Sequence, residues 1–174
     1  MIKNRTQITD PLIVEQMIAK LRTYVDIHLL KELTKNHYSD NTLLAYCKDW
    51  DQFLQFCLHH QLAVLPAAPS TVKRYLIKQS KALKYATLRR YSVAISVIHQ
   101  ILGLRDPIGT TEVRLYLMSL RLDKLGDSTQ ADAFNQKHLN SLHQQLISST
   151  ELIEIRNLAI YNVMFECALK RREL

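Results

Sequence analysis

The sequence predicts an all-α protein. Glycine and proline are scarce, three and four in 174 residues, and long stretches hold neither. Both residues interrupt helices, and a turn-rich β architecture would need more of them. Apolar residues recur at alternating spacings of three and four, the period that lines them along one helical face. Residues suited to helix ends, Asp10 and Ser39 at starts and Gly103 at a stop, punctuate these stretches.

Five helical segments are predicted before a polar break at Asp123. The first runs from about Pro11 to Leu33, with Asp10 as N-cap and Pro11 at the first helical position. The second opens on Ser39 and ends near His60. Its stripe is Leu43, Tyr46, Cys47, Trp50, Phe53, Leu54 and Cys57. A third, shorter helix starts around Ser70, burying Val72, Tyr75 and Leu76 and leaving Lys73, Arg74 and Lys78 outside. The fourth begins near Tyr85 and stops at Gly103, with a stripe of Leu88, Tyr91, Ile95, Ile98 and Leu102. Thr87, Arg89 and Arg90 then fall in its first turns, beside the packed face. A fifth helix covers about Thr110 to Leu122. Gly126, Asp127, Ser128 and Thr129 mark an interdomain linker over 123–134. Two more helices follow, roughly Asn135 to Ser148 and Thr150 to the end. The last offers Leu152, Ile155, Leu158, Ala159, Val163 and Leu169 for burial. Leu174 closes an apolar pattern with no cap, which reads as a truncation.

Apolar residues form 47% of the chain and charged residues 22%, a globular balance. Net charge is +7, unevenly placed. Residues 1–125 carry 18 basic and 10 acidic side chains, whereas residues 126–174 carry 5 and 6. Between Asp51 and Asp106 there is no acidic residue, while Lys73, Arg74, Lys78, Lys81, Lys84, Arg89, Arg90 and Arg105 all lie in that gap. A one-sign field held on ordered helices attracts a polyanion, of which nucleic acid is the commonest. An acidic membrane surface would instead need bulky apolar groups free to insert, and the apolar residues here are committed to a core.

Cys47, Cys57 and Cys167 are an odd set with no paired spacing. They point to a reducing cytoplasm, with each cysteine a small buried hydrophobe. No apolar run approaches a bilayer span. None of the seven histidines forms a His-x-x-x-His pair, and Cys-x-x-Cys, glycine-rich phosphate loops and Gly-x-Ser-x-Gly are all absent. No metal site is expected. Of the eight tyrosines, all but Tyr24 sit in or beside apolar patterns and are expected to pack, and Tyr24 is no better placed as a nucleophile.

Two stretches, in order, resemble the tyrosine recombinase (phage integrase) family. The run from Ser39 to Cys57, with Thr42, Tyr46, Asp49-Trp50 and Phe53, looks like the helix opening that family's core-binding domain. Pro69 to Leu76, Ala86 to Tyr91, Gly103 to Pro107 and Val113-Arg114 follow in consistent order. The resemblance implies a SAM-like bundle of four to five helices over 1–122, a linker over 123–134, and the first helices of a truncated catalytic domain over 135–174.

The second stretch, Ile155 to Leu174, is similar to the family's first catalytic motif, which ends Gly-Leu-Arg-x-Ser-Glu-Leu. Ala168 takes the glycine position, Lys170 the catalytic arginine, Arg172 the serine and Glu173-Leu174 the closing pair. Lysine cannot reproduce arginine's planar bidentate fork on a phosphate. Either Arg171 or Arg172 substitutes in a shifted register, or the motif is impaired, or this sequence carries a change here.

What the resemblance implies is a tyrosine that attacks a DNA phosphodiester and forms a 3′-phosphotyrosine. Arginines stabilise the developing charge, with no metal or cofactor. The nucleophile and most of its partners would lie beyond Leu174, so this chain alone would bind double-stranded DNA without cutting it. The family works as a tetramer on two duplexes. It sets the second and fourth predicted helices against the major groove. The candidate contacts are therefore Ser39, Asn41, Thr42 and Lys48, then Lys81, Lys84, Thr87, Arg89 and Arg90. Two other readings remain open: a non-catalytic DNA-binding protein derived from a degenerate integrase, and a helical module that meets an acidic protein partner.

Overall fold

The computed structural model describes residues 8, 10–127, 132–169 and 173. Among them the chain is all-helical, with no strand. Its helices are α1 (Pro11–Leu21), α2 (Ile27–Leu33), α3 (Asp40–His59), α4 (Pro69–Ser80), α5 (Tyr85–Ile101), α6 (Thr111–Asp123), α7 (Gln136–Leu146) and α8 (Leu152–Glu166). They fall into two compact units, Met1–Ser128 and Thr129–Leu174. Residues 128–131 of the expected linker lie outside the described residues. None of the described helices is long and apolar enough to cross a membrane.

The single helix expected over Pro11 to Leu33 is two. After Leu21 the chain turns, and the Thr23 and Tyr24 N–H groups both donate back to the Lys20 carbonyl. Asp26 then restarts a helix by accepting the Leu29 N–H at 2.7 Å. Thr, Tyr and Val are weak helix formers, and an aspartate that can cap favours a new start over continuation. The Arg22 guanidinium donates to the Leu65 carbonyl and pins the corner.

On α3, Ser39 supplies the N-cap by accepting the Thr42 N–H, and all seven residues of the expected stripe are buried. Trp50 is enclosed, and its Nε1 donates to the Leu21 carbonyl at 2.9 Å, which ties α1 to the core. On α4, Val72, Tyr75 and Leu76 are buried, with Tyr75 packed on Phe53 and Phe56 at ring separations of 5.2 and 5.1 Å.

α5 is the central helix of the first unit. Leu88, Ile95, Ile98 and Leu102 are buried as the stripe predicts, with Tyr91 half-buried. Ser92, Ala94, Val97, His99 and Ile101 are buried as well, so from Ser92 onward the helix is enclosed on nearly every side. Gly103 ends it at φ +66°, where a side chain would be strained.

In the second unit, Asn135 and His138 cap α7 reciprocally, and His143 Nε2 lies 2.9 Å from Asn162 Oδ1 on α8. The core expected of the last helix does not form there. Leu152, Ile155, Ala159 and Val163 are exposed, Leu158 and Leu169 are half-buried, and α8 has no buried residue. A helix face needs a packed neighbour to be buried, and a two-helix unit provides one neighbour per helix. α8 also stops at Glu166, so the expected continuation to the chain end is absent as far as Leu169. Cys47 and Cys57 are buried as expected, but Cys167 is exposed, because it lies just past the end of α8.

Candidate nucleic-acid interface

Enclosure of α5 from Ser92 onward leaves only its first turns at the surface. Lys84 is its N-cap residue, and the short turn from α4 begins at Lys81, the C-cap residue of that helix. Lys81, Lys84, Arg89 and Arg90 are exposed and Thr87 is half-buried. Leu88 anchors this tip in the core, so Arg89 and Arg90 diverge from a fixed point. A helix N-terminus carries unpaired N–H groups and a partial positive charge, which adds to the cations around it. Here the Tyr85 N–H donates to Asp127 Oδ2 at 2.8 Å, so a carboxylate from beyond α6 caps the tip.

The candidates on α3 divide by role. Ser39 and Thr42 are joined through their hydroxyls at 2.9 Å while Ser39 also caps the helix, so both serve the helix start. Asn41 and Lys48 are exposed.

One ion pair joins the two helices. Asp49 Oδ2 accepts from Arg90 Nε at 2.8 Å, and Asp49 Oδ1 from Arg90 Nη2 at 2.9 Å. The Asp49 side chain is only 2% exposed, whereas that of Arg90 is 50% exposed. The hydrogen bonds that Arg90 donates to Asp49 raise its pKa, opposed by burial and aided further by the Asp49 charge. The guanidinium lies 6.0 Å from the Tyr91 ring, which is stacked on Tyr75 at 5.9 Å. Of the cations in the acid-free stretch, Lys73 pairs with Glu112 at 3.3 Å and Arg90 with Asp49. Among the described residues Arg74, Lys78, Lys81, Lys84, Arg89 and Arg105 make no ion pair, although Lys78 sits over the Phe56 ring.

Sequence reasoning missed two acidic residues at this surface, Asp49 and Asp127. Asp49 had a legible signal. It follows Tyr46 by three and precedes Phe53 by four, so it lies on the core-facing stripe, where a carboxylate needs a partner. Asp127 gave none, since its partner is fixed only by the folded chain.

Lys170 and Arg171, the candidates for the catalytic arginine, lie outside the described residues, as does Arg172. Just before them, Ala168 has φ +51°. That conformation favours glycine, and the resemblance sets Ala168 at the motif's glycine position.

Fold and surface together define an all-helical protein whose central helix presents a cationic N-terminal tip beside an ion-paired neighbour. No protein-family model matches the chain. It is similar to an integrase/recombinase xerD homolog of Selenomonas ruminantium, 30% identical over 139 residues, covering 78% of this chain and 40% of that protein. It is also similar to recombinase cre of Escherichia phage P1, 25% identical over 144 residues, covering 79% and 41%. Over nearly four fifths of its length the chain is thus similar to these recombinases. It spans about two fifths of the length of these curated relatives.

Proposed function

We propose that this chain is the DNA-gripping portion of a site-specific tyrosine recombinase acting in the cytoplasm. In this reading 1–122 is the core-binding domain, 123–134 the linker and 135–174 the start of the catalytic domain. Strand breakage and rejoining through a phosphotyrosine belong to the whole enzyme, assembled as a tetramer on DNA, with no metal or cofactor. The observation that carries the reading is the set of Lys81, Lys84 and Arg89 at the tip of α5, none of them ion-paired among the described residues. Arg90 connects that tip to α3 through Asp49, next to the exposed Lys48. Cations left unpaired on a rigid helix start suit a row of phosphates, and arginine and asparagine beside them can read base edges.

Binding of the chain to duplex DNA across a salt series tests this. With four or five cations on phosphate, the logarithm of the binding constant should fall against that of salt with a slope of roughly −3.5 to −4.5. Arg89→Ala should weaken all sequences alike and make the slope shallower by about 1. No covalent DNA adduct should form. A chain that ignores duplex DNA at low salt but binds an acidic protein would replace this reading with a protein-interaction module.

A further inference from the structure

Asp49 is an expensive residue to bury. A carboxylate taken from water loses several kcal/mol of solvation, and well-packed apolar side chains often replace a buried ion pair at no loss of stability. Its partner is not buried with it. Arg90 keeps half its side chain in solvent while two of its donors are fixed on Asp49. The arrangement thus adds little that an apolar contact would not, except a fixed direction for one guanidinium.

A guanidinium has five N–H donors. Asp49 takes Nε and one hydrogen of Nη2, and Nη1 makes no hydrogen bond among the described residues. What remains is the far edge, with Nη1 and the outer hydrogen of Nη2 forming a second parallel fork. Behind it stand Tyr91 and the fully buried Tyr75, stacked on each other, so the side chain has a rigid backing. Lysine could not serve both edges, because an ammonium has no planar fork.

Resting on the DNA-binding reading above, we propose that Asp49 is a positioning residue that aims the outer edge of Arg90 at a guanine in the major groove. Guanine O6 and N7 form the acceptor pair that matches an arginine fork. Arg89, which no carboxylate holds among the described residues, takes phosphate. Neighbouring arginines on one helix turn thereby divide between sequence and backbone.

The test uses the full 174-residue chain and a randomised duplex library, from which a preferred sequence is selected. Each G·C pair of that sequence is then replaced by A·T, and binding is measured for the wild type, Asp49→Asn, Arg90→Lys and Arg89→Ala. The wild type should lose roughly 5- to 150-fold at one G·C position. Asp49→Asn and Arg90→Lys should flatten that position to within about 2-fold. Arg89→Ala should keep the preference there while weakening every duplex. A merely structural ion pair would lower the melting temperature of Asp49→Asn and leave the profile of its folded fraction unchanged. That result, or Arg90→Lys retaining the guanine preference, overturns the assignment even if Asp49→Asn folds poorly. Absence of any duplex binding by the wild type overturns the DNA-binding reading along with it, which distinguishes the two failures.

Discussion

His99 Nε2 accepts a hydrogen bond from the Ala67 N–H at 3.0 Å, and His99 Nδ1 lies 2.8 Å from the Ile95 carbonyl. An N–H can only donate and a carbonyl can only accept, so the imidazole is neutral, with its proton on Nδ1. The ring is fully buried and links the 60–68 connection to the last turn of α5. Burial lowers its pKa, against smaller opposing effects of the Ile95 hydrogen bond and Asp106. The unfolded chain therefore takes up a proton that the folded chain refuses. Stability is full above the ordinary histidine range near 6.5 and falls as pH drops through it towards the lowered folded value. Urea unfolding at pH 7.5, 6.5 and 5.5 should show this loss, at most about 1.4 kcal/mol per pH unit from this one group. His99→Gln should be less stable at pH 7.5 but less sensitive to acid. His60, also lowered by burial with Arg74 and Lys78 nearby, should leave part of the dependence in place.

Trp50→Phe separates packing from hydrogen bonding in the same core. Phenylalanine retains much of the enclosed ring but cannot donate to the Leu21 carbonyl. An unsatisfied buried acceptor costs about 1–3 kcal/mol, and the lost ring volume adds to that. The loss should appear in urea unfolding. It should also raise hydrogen exchange in α1, because that bond is one of its ties to the core.

What was legible in the sequence followed distance along the chain. α3 could be read whole, because its cap and its stripe are local patterns that the fold reinforces. The break at residues 22–26 was hidden, since Leu21, Leu29, Leu30 and Leu33 continue an apolar pattern across it, with only the weak helix formers Thr23 to Val25 and the capping Asp26 against it. α5 was read as one-sided, but being central it is buried all round, which only the packing of its neighbours decides. The cationic surface was legible as an acid-free run. Its pairings were not: Asp49 on the core-facing stripe signalled only that it needs a partner and Asp127 signalled nothing, because they lie 41 and 42 residues from the groups they hold.

The three thiols should differ sharply in reactivity. Burial pushes Cys47 up to about 11, with Asp26 adding to it, and Cys57 up to about 12. Thiolate is the reacting form, so both should be inert at neutral pH in the folded protein. Cys167 is exposed past the end of α8. A disulfide reagent at pH 7.5 should modify one thiol rapidly, and Cys167→Ser should abolish that fast phase. Denaturant should release the other two together if Cys47 and Cys57 share one core.

Asp127 places two effects in opposition at the tip of α5. Its carboxylate caps the Tyr85 N–H, and Lys84, the residue that would ordinarily cap this helix, provides no side-chain cap. Losing a cap costs about 1 kcal/mol, so Asp127→Ala should lower stability by that amount in urea unfolding. The same carboxylate is a negative charge held at the helix start where the DNA-binding reading places phosphates. Removing it frees one N–H and relieves repulsion, and like charges in contact with a polyanion's binding surface weaken binding. Asp127→Ala should therefore bind duplex DNA more tightly at low salt, and the gain should shrink as salt is raised. Asp127→Asn separates the contributions: its amide oxygen can still accept from Tyr85, so stability should be largely kept while the affinity gain remains. A variant that loses stability and gains no affinity would move the DNA path away from the α5 tip.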